Sequence, residues 1–416
     1  MQRQRLSLPL VLAFLLLAPP VYAQLRPPDQ PTPEQDEIDA REPLVWHPSF
    51  GLTSLGYDSN VFNLPSSNSK VTKVGDWVAA FAAGLAPIWN VGDVKVSADT
   101  GLVYNYFQQF TQERGLDGTA RGRIDIPIAR VRLHAGGGYA NLRQRVNYEI
   151  DQRARRSEED ATAGFDIAVG GPLILGLSAR RSSVRFADDI DRPETLTLRE
   201  TLNRDEQTAT ASAQYAITPL TSFVVSGDLG THRFQLSPGR DGHNAGYSAG
   251  FVFSQDALIG GQASVGWRRV TVSNPLIPTN TGLAWDVDLS TVLGQATRVG
   301  VRGKRDVSFS SDEQSPYYTQ SSIGASLKQI IGDGWEIGLR GDRVWLDYTR
   351  SIIETSPAYS ETVNVLGGSF GYRFPGGFRL AIEVESQRRR ASTNAPGRAY
   401  NTLRTYTVIS KSVGKS

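Results

Sequence analysis

The chain has no cysteine, one methionine and four histidines among its 416 residues. Without cysteine there is neither a disulfide framework nor a thiolate metal site, and a thiol-free chain is suited to crossing an oxidising compartment unfolded. The histidines (His47, His134, His232 and His243) are scattered, with no two at metal-ligand spacing. Charge of one sign is not in excess either. The 44 basic and 42 acidic residues leave a formal charge of +2, too little to point to a nucleic-acid partner. No Gly-rich phosphate loop links a strand pattern to a helix pattern, and no catalytic motif set occurs. His232 follows Asp228 in a serine-rich chain, but a Ser-His-Asp centre needs three groups in contact, which this spacing does not imply. The expectation is a non-enzyme with no cofactor and no metal. Long apolar runs are missing after the first one, which excludes a helical inner-membrane protein.

That first run, Leu6 to Leu17, follows Arg3 and Arg5 and precedes Pro19-Pro20-Val21-Tyr22-Ala23. It is shorter than the roughly 20 apolar residues a spanning helix needs. Its flanks are those of a signal peptide over residues 1–23, with cleavage expected after Ala23. Residues 24–43 are rich in proline and acid (Pro27, Pro28, Pro31 and Pro33 with Asp29, Glu34, Asp36 and Glu37) and lack apolar periodicity. They read as a disordered leader facing the periplasm. Residues 44–416 form the one remaining domain.

What fills that domain is a two-residue hydrophobic beat. Trp77, Ala79, Phe81, Ala83 and Leu85 alternate with mostly small residues, Val94, Val96 and Ala98 with Lys95, Ser97 and Asp99, and Leu283, Trp285, Val287 and Leu289 with Asp286, Asp288 and Ser290. Successive strand side chains point to opposite faces, so each segment has one greasy and one polar face. Many such segments behind an export signal predict an all-β fold, a single transmembrane antiparallel up-and-down β-barrel in a Gram-negative outer membrane.

Eighteen strands are expected, with sixteen possible because a few, the first and eighteenth among them, are weakly patterned. Short turns such as Gly170-Gly171-Pro172, Thr218-Pro219-Leu220 and Gly332-Asp333-Gly334 alternate with long connections such as 58–75, 143–158, 187–204 and 349–358. Barrels of this kind have short periplasmic turns and long outer loops. Aromatic residues mark both ends: Trp89, Phe223 and Trp335 near turns, Tyr57, Tyr104, Tyr106 and Tyr139 towards loops. Two aromatic belts are expected at two membrane interfaces.

If the apolar parity faces lipid, the other parity lines the lumen. The candidates for the pore lining are Arg121, Arg123, Asp125, Arg132, Arg180, Arg268, Asp286, Asp288, Arg302, Lys304, Arg340 and Arg379. An eighteen-stranded wall encloses water rather than a side-chain core, so these charges can act as a selectivity surface. Arg121, Arg123 and Arg132 cluster near one turn, and Arg298, Arg302 and Lys304 run beside Asp286 and Asp288. They read either as a basic ladder for anionic solutes or as cross-strand salt bridges that hold a polar wall together. Basic residues 143, 145, 153, 155 and 156 fall in an expected outer loop, where lipopolysaccharide phosphates or simple solvation would satisfy them.

At Gly56-Tyr57-Asp58-Ser59-Asn60-Val61-Phe62 the chain resembles the outer-membrane β-barrel porin family often encoded in exopolysaccharide and capsule loci. The layout of an acidic, Pro-rich leader followed by strands to the end is similar too. The resemblance implies a pore through which a secreted exopolysaccharide leaves, fed by a periplasmic polysaccharide export protein. Outer-membrane lipids and lipopolysaccharide are its expected surroundings. The alternatives are a general or anion-preferring diffusion porin and a closed barrel that acts as a surface-binding or structural protein. The family carries no catalytic residues. One departure is the end of the chain, Val413-Gly414-Lys415-Ser416, where such barrels usually place an aromatic residue.

Overall fold

The computed structural model describes residues 42–65, 74–151, 153–187, 193–294, 296–312, 315–348, 359–391 and 398–412. The signal peptide, its cleavage point and the leader up to residue 41 lie outside these residues. Eighteen strands run in chain order. The first six are β1 (Leu44–Asp58), β2 (Asp76–Val91), β3 (Val94–Phe107), β4 (Gly115–Ile128), β5 (Val131–Arg145) and β6 (Arg153–Gly170). The next six are β7 (Leu173–Phe186), β8 (Arg204–Thr218), β9 (Thr221–Phe234), β10 (Gly242–Phe253), β11 (Ile259–Val272) and β12 (Asn280–Leu293). The last six are β13 (Thr297–Phe309), β14 (Tyr317–Ile331), β15 (Trp335–Tyr348), β16 (Ser360–Arg373), β17 (Phe378–Ala391) and β18 (Tyr400–Ser412).

Each strand pairs antiparallel with its chain neighbours, and β1 also pairs with β18 from Ser49↔Ser412 to Asp58↔Arg404. The sheet is thereby a closed up-and-down barrel of eighteen strands, with β1, β17 and β18 all in the wall. Closure matters because lipid offers no hydrogen-bond partner to a free strand edge. The alternation sets the two faces. On β15, Trp335, Ile337 and Leu339 are exposed on the outer face while Glu336 between them is buried. At one end the connections are tight, and Gly92 and Gly332 sit in them at φ 61° and 57°, a left-handed conformation that a residue with a Cβ resists.

The other end departs from expectation in two places. The expected long loop over 143–158 shrinks to 146–152, because β5 runs to Arg145 and β6 begins at Arg153. Arg143 and Arg145 end one strand and Arg153, Arg155 and Arg156 begin the next, with Arg153 and Arg156 buried. One hydrogen bond ties the extension across the two strands: Arg153 donates to the Arg143 carbonyl oxygen at 2.7 Å, while Arg156 is held within its own strand by Glu158 at 2.5 Å. The connection after β7 carries a helix, α1 (Pro193–Leu202), which the strand pattern did not anticipate.

Candidate functional site

On the concave face, charged side chains reach over an intervening strand. Arg302 on β13 makes two hydrogen bonds to Asp342 on β15, at 2.8 and 2.7 Å. Arg268 on β11 approaches both Asp228 on β9 at 3.4 Å and Asp306 on β13 at 3.2 Å. Arg340 on β15 pairs with Glu385 on β17, which Arg404 on β18 also holds at 2.8 Å, and Arg404 continues to Asp58 on β1 at 3.0 Å. Side chains of second-neighbour strands converge only on the inside of a curved wall, so these pairs identify the lumen.

The strand between the partners supplies glycine where they meet. Gly324 lies in register with both Arg302 and Asp342, and Gly367 with both Arg340 and Glu385. A Cβ on Gly324 would lie 2.0 Å from the nearer Asp342 carboxylate oxygen, and one on Gly367 2.8 Å from the Arg340 Nε. Gly246, in register with Asp228 and Arg268, repeats the arrangement. In a wet lumen each such pair contributes about 0–1 kcal/mol, with the bidentate one at the upper end.

All twelve candidates from the sequence lie on strands of this wall, but they do not act as one group. Arg123 and Asp125 pair with each other, at 2.7 Å. Arg121 and Arg132, close to them, make no ion pair among the described residues. Arg180 reaches Asp160 at 3.9 Å. Lys304 takes Asp286 at 3.8 Å, whereas Asp288, opposite Arg302 on β12, loses that arginine to Asp342. Arg379 is buried at the short-turn end, paired with Glu336, which Lys328 also reaches at 3.3 Å. Asp228 is taken by Arg268, and His232 packs instead on the Phe234 and Phe309 rings, with centroids 6.0 and 4.8 Å away.

The loop end is built differently. The inward parity of β15 turns from charged to apolar, and Val344, Leu346 and Tyr348 pack with Val363 and Val365 of β16 and Tyr318 of β14. The 146–152 connection comes in from the far side of the barrel and covers them with Tyr148. Asn147 accepts from the backbone N–H groups of Glu149 and Ile150, at 2.9 Å each, and so folds the tip. Ile150 packs on Phe186 and on Leu198 and Leu202 of α1.

Glu149 is the centre of this layer, and nothing in its sequence neighbourhood singles it out. It is fully buried, accepts from the Ser310 hydroxyl, and accepts from the Ser311 N–H at 3.2 Å. Arg389 and Arg398 donate to its backbone oxygen. Arg389 also holds Asp151 at 2.9 Å and Glu361, and Arg398 reaches Glu361 at 3.4 Å. Burial pushes the Glu149 carboxyl up to about 7, against the opposing pull of Ser310, Arg398 and Arg389. A second clasp is Arg240, which donates to the carbonyl oxygens of Thr201, Ser310 and Pro316 at 2.6–2.7 Å. Connections after β5, β7, β9 and β13 thus meet across the mouth.

A closed eighteen-stranded wall with a charged lumen and a loop folded into its mouth defines the class of the porins. The sequence agrees: a family model described as "Putative beta-barrel porin 2" matches residues 45–350, and the chain belongs to that family of outer-membrane barrels. Among curated proteins no sequence matches significantly. Solved structures with the same kind of barrel include a BenF-like porin from Pseudomonas fluorescens Pf-5 (10% identity, TM-score 0.49, 89% of this chain and 99% of that one). OpdO from Pseudomonas aeruginosa is similar at 14% identity and TM-score 0.47, over 88% of this chain and 97% of its own.

Proposed function

We propose that this porin is a conduit for a secreted exopolysaccharide, with the 146–152 loop as the movable part of its outer mouth. The observation that supports it most is the lumen wall, where most charges are held in pairs spread from β9 to β1. A polymer that must slide is served by many weak contacts, since one tight site would stall it. Residues 1–23 direct export, and residues 24–43 face the periplasm, where a polysaccharide export protein delivers the chain. The channel works by exclusion and electrostatic guidance and carries out no chemistry.

One observation favours a second reading. The docked loop narrows the mouth, which suits a diffusion porin for small anions. Planar-bilayer conductance separates the two. The wild type is compared with a variant carrying Tyr148→Gly, Glu149→Ser and Ile150→Gly, with and without an acidic oligosaccharide. A conduit gives larger steps in the variant, and the sugar interrupts them. Steps that ignore the sugar in both proteins mean a diffusion porin. Silence in both means a closed barrel whose outer loops carry the function.

A further inference from the structure

Inside the barrel nearly every arginine near an acid is paired, but several on the outer face are not, and two of these border one groove. Arg181 on β7 and Arg269 on β11 share the parity of the lipid-facing Leu177 and Trp267, are exposed, and make no hydrogen bond or ion pair among the described residues. They flank a groove of about 790 Å³ on the wall from β6 to β11. Its floor is low over β6 to β8 and β10, because the outward residues of one rung are Ala163, Ala179, Ala209 and Ala245, in register with Leu229, which stands out from β9. The rung above it on the loop side runs through Arg181, Gln207, Thr231, His243 and Thr271.

Arg181 lies five residues from the loop end of its strand and Arg269 three, so both guanidinium groups stand near the outer interface. Outward Arg233, Arg343 and Arg388 occupy the same zone on β9, β15 and β17. The arc from β1 to β5 is different: there the loop-end outer face carries Tyr57, Trp77, Tyr104, Tyr106 and Tyr139. An arginine facing hydrocarbon is disfavoured at mid-bilayer and tolerated at the interface. A cationic arc beside an aromatic one therefore marks where anionic headgroups are met.

We infer that the β6–β11 groove seats a phosphorylated glycolipid of the outer leaflet, with Arg181 and Arg269 on its phosphates and its acyl chains along the alanine floor. Three features select this occupant. Four strand spacings separate the two arginines, roughly 19 Å, which is too wide for one phosphate and fits a broad headgroup with several anionic groups. Guanidinium forks match phosphate oxygens. A second copy of the chain is disfavoured, because a two-fold contact through this face would bring arginine against arginine.

The test uses full-length protein in nanodiscs that contain diphosphoryl lipid A or the same glycolipid without its phosphates. Bound glycolipid is counted by native mass spectrometry. The wild type should retain at least tenfold more of the phosphorylated form than the Arg181→Ala/Arg269→Ala variant. Arg181→Lys/Arg269→Lys, which keeps the charge but not the fork, should fall between them and guards against a folding defect. Equal retention by wild type and the alanine variant overturns the inference. So does equal retention of the dephosphorylated glycolipid, displacement by millimolar inorganic phosphate, or a cross-linked dimer through the groove.

Discussion

Arg302 and Asp342 sit on strands that do not touch, yet they form a two-pronged hydrogen-bonded pair at 2.8 and 2.7 Å over the backbone of Gly324. The pair depends on a missing side chain as much as on the two present. Gly324→Val should push Asp342 aside and release Arg302 into the lumen. The expected result is a stronger anion preference, read as a shifted reversal potential in a salt gradient, with a stability loss of only about 1 kcal/mol. Arg302→Glu should move the preference the other way, since it sets two carboxylates face to face. An unchanged reversal potential in both would remove Arg302 from the selectivity surface.

Arg389 is fully buried between Glu361 and Asp151. Arg389→Ala leaves two carboxylates without their shared cation, a loss of about 3–5 kcal/mol where a buried pair is broken from one side. Part of this is relieved as the loop swings out to water. The measurable outcome is a lower unfolding temperature together with larger, noisier conductance steps. A lower unfolding temperature with unchanged steps would show that the loop is not what narrows the mouth.

The loop should also respond to pH. Glu149 has its carboxyl raised from 4.5 to about 7 when docked, so the docked loop holds a proton that the released loop gives up between these values. Docking is therefore favoured in acid, weakens as pH rises from about 4.5 through 7, and is level above that. The groups facing Glu149 are Arg389, Arg398 and Ser310, with Asp151, Glu361, Tyr318 and Tyr348 close by. Open probability should rise from pH 5 to pH 8 in the wild type and be nearly flat in Glu149→Gln. A Gln variant with the wild-type profile would assign the titration to another group.

The two faces of one hairpin give opposite outcomes. Leu339, half exposed on the outside of β15, sits at mid-strand, and Leu339→Arg should cost about 2–4 kcal/mol in a lipid bilayer. Ser326 on the adjacent β14 is in register with Arg340 and shares its inward parity, so Ser326→Arg should fold normally and alter conductance instead. Heat-modifiable gel migration after refolding into vesicles compares the two.

Strand positions were legible because they rest on local rules. The alternation in β7, β9 and β11, bounded by Gly, Pro or polar turns, sets 173–186, 221–234 and 259–272, the same limits that the barrel shows. The start of β6 was not legible. Arg153-Ala154-Arg155-Arg156 has no apolar face to announce a strand, and it extends in register with residues 142–145 of β5, where Arg153 donates to the Arg143 carbonyl oxygen.

By itself, then, the sequence determined the barrel, the approximate place of its strands and which parity is charged, while leaving eighteen or sixteen strands open, since period-two patterning and turn chemistry act between residues close in the chain. Tertiary structure alone decided which charges meet. Arg302 chooses Asp342 over the facing Asp288 because closing the wall brings second-neighbour strands together and Gly324 leaves the way open. Glu149 meets Ser310, Arg389 and Arg398 for the same kind of reason, because residues far apart in the chain converge only where loops fold across a closed ring.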